Sequence, residues 1–256
     1  MRNLIPLSLL FCLLLLSACQ KEQTTAPVET TSLEFSFTAN YDGAPLVINE
    51  QEYDYAGNPI RFSKVSFYLS NVTLGETEVS DVNYIDLTKT HTDQAAAEVG
   101  TSRNFLKIPV GEYNSMAFGI GVAPDLNRTK PSEYSTSHPL GADNSAEYWE
   151  AWDSYIFVKI EGQYDVDGDG FDGEDVAFAY HIGQDEFYKS LNDTFENPLS
   201  LEAGTPANIT FLLDIKKLLT TGTGELLPLE SHDPNNQRDV MQMIMNNFSA
   251  ALVYRR

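Results

Sequence analysis

The densest run of metal-capable oxygen in this chain is a short acidic turn. Asp165, Asp167 and Asp169 alternate, and Gly170, Phe171, Glu174 and Asp175 follow. Calcium is a hard cation that takes about six to eight oxygen ligands, and alternating carboxylates ahead of a glycine wrap it well. The Phe171 carbonyl supplies a further oxygen. Val176 stands where a closing glutamate belongs, so Glu174 or Asp175 must complete the shell. A solvated acidic hairpin tip is the plainer reading. A few residues on lies His181, in Val176-Ala177-Phe178-Ala179-Tyr180-His181-Ile182-Gly183. On a regular strand Val176, Phe178, Tyr180 and Ile182 share the core face, and Ala177, Ala179 and His181 share the other. The two alanines leave room around an imidazole, the commonest metal-binding side chain. Upstream stand His138 and both tryptophans of the chain, Trp149 and Trp152. His232, in Leu-Glu-Ser-His-Asp-Pro, is a further candidate ligand, whereas His91 sits in a polar loop and reads as a surface residue. Met241, Met243 and Met245 alternate, but at helical spacing Met243 faces away from the other two. Core filling accounts for them better than ligation of soft copper. A glycosidase-type carboxylate pair is a possibility in so acidic a chain, but no residue marks one.

These residues need a scaffold, and the pattern around them is that of strands. Leu33–Phe37 alternates apolar and polar. Ile60–Leu74 is rich in β-branched and aromatic residues and reads as one long strand, or two meeting near Ser63-Lys64. Further strands are expected at Val82–Leu87, Asn104–Val110, Tyr113–Val122 and Asn208–Ile215, with Ala250–Tyr254 closing a sheet. Tyr155–Tyr164 and Val176–Ile182 flank the aspartates as a hairpin with a long loop. Lys89–Ser102 reads as a loop with one helical turn, and Asp125–Ser145 as a long irregular stretch delivering His138. Asp233-Pro234 marks the start of a short C-terminal helix. About ten strands and few helices indicate an antiparallel β-sandwich with long loops.

The first residues read as an address. Arg2 precedes the apolar run Leu4–Leu16, which ends in Leu16-Ser17-Ala18-Cys19, the pattern at which a bacterial lipoprotein precursor is cut and acylated on cysteine. Residues 1–18 are thus expected to be a signal peptide, 19–32 a flexible tether anchored by lipid at Cys19, and 33–256 one domain. Removal of Cys12 with the signal leaves no partner for a disulfide and no thiolate for catalysis. Gln20-Lys21-Glu22 resembles a signal that exports lipoproteins to the outer face of the outer membrane; on three residues the periplasmic and cell-surface faces both stay open. The formal net charge of −21 argues against nucleic-acid binding, which needs clustered lysine and arginine.

Four segments carry a family likeness: Ile60–Leu74; Leu106–Val122; His138-Pro139-Leu140-Gly141 with Glu147–Gly162; and Phe178–Gly183. In order and spacing they resemble the MbnP-like copper-binding lipoproteins, related to the methanotroph surface copper proteins MopE and CorA. The resemblance implies a non-enzymatic β-sandwich that binds copper through histidines and a tryptophan oxidised to kynurenine by a partner di-haem peroxidase. An intact indole has no in-plane lone pair, whereas kynurenine exposes an aniline nitrogen, and imidazoles with such a nitrogen suit Cu(I). The family's tryptophan pattern fits only in part. Trp149 falls on its first tryptophan, Ala151 on the second and Ser154 on a glycine, with Ala146-Glu147 in place of Gly-Met and Trp152 displaced by one residue. The implied copper residues are therefore His138, His181 and Trp149, with His232 in reserve. The alternative is a calcium-stabilised surface lipoprotein that binds a protein or glycan without copper.

Overall fold

The computed structural model describes residues 27–171, 175–225, 227 and 237–256. Cys19, Glu174, His232 and Asp233-Pro234 lie outside them. Among the described residues there are thirteen strands, four α-helices and three short 3-10 helices. The first half holds β1 (Thr30–Tyr41), β2 (Ala44–Pro45), β3 (Tyr53–Tyr55), β4 (Asn58–Leu74), β5 (Thr77–Asp86), β6 (Thr101–Pro109) and β7 (Gly111–Ile120). Then come β8 (Tyr148–Trp149), β9 (Ser154–Tyr164), β10 (Val176–Gly183), β11 (Lys189–Leu201), β12 (Ala207–Asp214) and β13 (Leu252–Arg255). The α-helices are α1 (Gln94–Val99), α2 (Pro124–Asn127), α3 (Ile215–Leu218) and α4 (Arg238–Ala251).

The strands form the sandwich that their alternation predicts. A five-stranded sheet runs β13-β12-β1-β2, with β6 also on β1. An eight-stranded sheet runs β10-β9-β4-β7-β11, with β3 and β5 on β4 and β8 on β9. Pairing is antiparallel except between β1 and β12, which run parallel from Leu33↔Ala207 to Asn40↔Asp214. Thr30–Ser32, within the stretch read as tether, already belong to β1, since Thr30 and Thr31 pair with Pro109 and Ile108. β6 and β7 are sequence neighbours in different sheets, so the Pro109–Glu112 turn carries the chain across the sandwich.

The core is aromatic. Leu33, Phe35, Phe37, Ala39 and Tyr41 alternate inward along β1. Phe37 stacks on Phe211 of β12 at 4.9 Å and meets Phe67 of the opposite sheet edge-on at 6.0 Å. α4 lays Phe248 against Phe67, and its Met241 and Met245 are fully buried, so these methionines fill core.

β4 is a single 17-residue strand, and its register against β9 slips between Phe62 and Lys64, where the sequence allows a break. From Val65 to Ser70 it is buried on both faces. The outward face is covered by the segment between β7 and β9, which folds into short helical turns and packs back on the sheet: Tyr68 donates to the Pro139 carbonyl, and Tyr155 to that of Leu140. This covering segment forms a third layer, and the candidate site lies beneath it.

Candidate metal centre

Strand register decides which side chains meet beneath the cover. Across β4, β9 and β10 the pairs Ser66↔Lys159 and Lys159↔His181 lie in one row, with Lys64↔Glu161 and Glu161↔Ala179 in the next. Phe67 and its partner Val158 point into the sandwich, so this polar row points outward, as the alternation around His181 requires. Two details differ from the sequence expectation. Val176 is 44% exposed at the strand end rather than in the core. His181 does not sit in open space: it is buried, because Trp149 and Glu161 cover it.

The His181 Nε2 lies 2.6 Å from Glu161 Oε1. That hydrogen bond holds the Glu161 carboxyl below its ordinary range, with partial burial opposing. Against a carboxylate, Nε2 is the ring nitrogen that carries the donated proton. The Trp149 ring stands edge-on to the imidazole at 6.2 Å. Trp152, out of register with the family pattern, stacks on Trp149 at 5.3 Å and 23°. Both indoles project from a tight hairpin in which Trp149 pairs with Ser154 and Asp153 adopts a left-handed φ of 49°.

Ahead of this hairpin, Lys159 Nζ lies 2.9 Å from Glu147 Oε2 and donates to the Ala146 carbonyl at 3.1 Å. Glu147 Oε1 accepts from the Tyr84 hydroxyl at 2.8 Å and lies 3.8 Å from Lys64, which pairs with Asp86 at 3.2 Å. Burial, and then the Glu147 charge, push the Tyr84 hydroxyl far above its ordinary pKa. A cleft of about 430 Å³, lined by Arg61, Ser63, Glu161, Gln163, Ala177 and Ala179, gives solvent an approach to the Glu161 side of the pair. A groove of about 1060 Å³ between β11 and β13 holds none of the candidate residues.

The other histidines are held differently. His138 stacks on Tyr134 at 4.3 Å and 7°, and its Nδ1 accepts the Leu140 N–H at 3.1 Å. Its proton therefore sits on Nε2. His91 is fully buried, which corrects the surface assignment: its Nε2 accepts the Ala39 N–H at 3.1 Å and pins the 88–93 loop to β1. Burial lowers its pKa to about 4, against the opposing hydrogen bond to the Leu87 carbonyl.

In the acidic turn, carboxylate oxygens of Asp165, Asp167 and Asp169 lie within 4.8 Å of one another. Asp165 is buried and accepts the Gly168 and Gly170 N–H groups at 2.7 and 3.1 Å, which hold its carboxyl below the ordinary range. Gly168 and Gly170 take positive φ to make these contacts. The Asp169 carboxyl is raised, by its hydrogen bond with Asp167 and then by that neighbour's charge. Such crowding is what a divalent cation relieves. Phe171 lies under the Arg61 guanidinium at 4.1 Å, and Asp175 is half-buried beside β10.

Glu161, Lys159 and Glu147 were not candidates on sequence grounds. For the first two a signal exists: Lys159 and Glu161 are charges two apart in the otherwise apolar run Tyr155–Gly162, hence on one face. Glu147 carries no such mark.

The fold and site define a two-sheet β-sandwich that holds a carboxylate-tethered histidine against a tryptophan hairpin. The MbnP sequence profile matches residues 30–242, and the chain belongs to that family. Among solved structures, MbnP from Methylosinus trichosporium is similar at 15% identity and a TM-score of 0.43, over 75% of this chain and 78% of that one. No curated protein sequence matches the chain.

Proposed function

We propose that this protein is a copper-binding lipoprotein of the bacterial cell envelope that holds metal without catalysing a reaction. The observation that supports this most directly is the Glu161–His181 hydrogen bond beside Trp149. Metal-binding histidines commonly give their second ring nitrogen's proton to a carboxylate, which orients the ring and raises its basicity. Here Glu161 takes that part, and His181 Nδ1 is the donor nitrogen. His138 ranks below it, since what orients its ring is the Leu140 N–H rather than a carboxylate. His232, outside the described residues, remains the third imidazole that the sequence offers. Bound copper would be Cu(I), which accepts few and borderline-soft donors. Trp149 offers such a donor only once oxidised to kynurenine, a change assigned to a partner di-haem peroxidase. Trp152 backs its ring. The acidic turn, with Asp165, Asp167, Asp169, the Phe171 carbonyl, Glu174 and Asp175, is proposed to hold a structural calcium. Leu16-Ser17-Ala18-Cys19 supports lipid anchoring at Cys19 to the outer membrane, on its periplasmic or surface face.

Competition with a Cu(I) chelator tests the metal reading. His181→Ala should abolish tight binding, and Glu161→Gln should weaken it by about 10–100-fold, as loss of an orienting carboxylate does. His138→Ala and His232→Ala rank the remaining imidazoles. Wild-type affinity retained in His181→Ala would sink the assignment. Intact mass of protein from its own host reports whether Trp149 is oxidised.

A further inference from the structure

We propose that Lys159 and Glu147 form a buried clasp whose role is to position Trp149 against His181. The proposal rests on the reading of His181 and Trp149 as the metal site, and it adds the residues that assemble that site. Lys159 and Glu147 are 8% and 4% exposed. Burying a lysine and a glutamate is costly, and well-packed apolar residues of similar volume commonly serve stability as well or better. Stability alone is therefore a poor account of the pair. Its placement is a better one.

Lys159 stands directly opposite His181 in the β9·β10 register, and it grips two consecutive residues, the Ala146 carbonyl and the Glu147 carboxylate. Tyr148 and Trp149 come next in the chain. On their far side the chain is held again, by the Trp149↔Ser154 pairing and by Trp152 N–H donating to the Trp149 carbonyl at 3.1 Å. A two-residue strand is a weak hinge by itself. Anchored at both ends, it can present the indole in only one place, edge-on to the imidazole. β9 thus sets both members of the site: Glu161 orients His181, and Lys159, two residues earlier, orients Trp149 through the loop. The Tyr84 hydroxyl completes the clasp from β5 by donating to Glu147. Lys64, the other cation near Glu147, has Asp86 as its closer partner, so Lys159 is the principal hold.

Both tryptophans of the chain lie in this hairpin, so tryptophan emission, excited at the red edge where tyrosine does not absorb, reports on it alone. In a Trp152→Phe background Trp149 is the only tryptophan that this excitation reaches. The double variant Lys159→Met/Glu147→Gln removes both charges together and leaves neither isolated. We expect it to fold, with Trp149 emission shifted to the red, greater quenching by acrylamide, and Cu(I) affinity lowered about tenfold or more. Lys159→Arg, which keeps the cation, should retain the wild-type emission. Unchanged emission and quenching in the folded double variant would overturn the clasp, even with lowered copper affinity. Should the double variant fail to fold, Glu147→Gln alone decides by the same two optical readings. Because those readings use metal-free protein, a wild type that binds no copper overturns the metal reading while an emission shift still supports the clasp.

Discussion

The three described histidines differ in whether the engaged ring nitrogen donates or accepts, and that difference sorts their roles. His181 donates to a carboxylate, a state suited to ligation through its other nitrogen. His138 and His91 accept backbone N–H groups, which suits structure. At His91 this has a thermodynamic consequence. Its folded pKa of about 4 lies below the ordinary 6.5, so between those values the unfolded chain binds a proton that the folded chain refuses. Stability is unaffected by this group above about pH 6.5, falls as pH falls through the window, and has lost the full contribution near pH 4. At about 1.4 kcal/mol per unit the loss amounts to about 3 kcal/mol. His91→Gln offers an amide oxygen to the same Ala39 N–H without titrating. Urea unfolding from pH 4 to 7 should show the wild-type curve falling more steeply on acidification than that of the variant. Parallel curves would mean that His91 takes up its proton in the folded state.

At the scale of elements, the β9–β10 hairpin carries both proposed metals at different heights: the acidic turn at its tip and His181 near its far end. A calcium bound at the tip in hundredfold excess over its Kd would stabilise by about 2.7 kcal/mol. For a chain of this size that corresponds to a Tm about 5–10 °C higher. Chelation should therefore lower the Tm by about that amount, and Asp167→Ala, which removes one of the clustered carboxylates, should make the Tm insensitive to chelator. A Tm indifferent to chelation in the wild type would leave the turn an acidic hairpin tip. The hairpin was legible in sequence because strict alternation in Phe178–Ile182 fixes which face each side chain takes. The slip near Ser63 was legible too, from the polar pair that interrupts β4. β11 was not: it is an edge strand with few apolar residues, and Pro198 falls where its pairing to β7 breaks. The burial of His91 and the part played by Glu147 were hidden for another reason. Each depends on contacts dozens of residues away, with Ala39 and with Tyr84, which no local pattern encodes.

For the whole molecule, the eight-stranded sheet does two separate jobs on its two faces. Inward, Phe67 and Phe118 meet the aromatic cluster of the smaller sheet, centred on Phe211, which contacts Phe35, Phe37, Phe118 and Tyr254. Outward, the same strands display Lys159, Glu161 and His181 beneath the covering segment. The parallel β1·β12 pair makes the inner arrangement possible, since it brings Phe37 and Phe211 into register from segments far apart in sequence. Hydrophobic cohesion is thus supplied by one face and metal chemistry is proposed for the other, with only the thickness of a sheet between them. Phe211→Ala tests whether the two are separable. Emptying so large a buried side chain should cost about 3–5 kcal/mol. That is a Tm lower by about 6–20 °C. Measured well below that melting point, Cu(I) affinity should stay within about twofold of wild type, because no ligand or orienting group touches the cavity and distant sites act independently. A large loss of affinity in the folded variant would instead mean that packing between the sheets sets the position of β9 and β10, and that the outer face depends on the inner one.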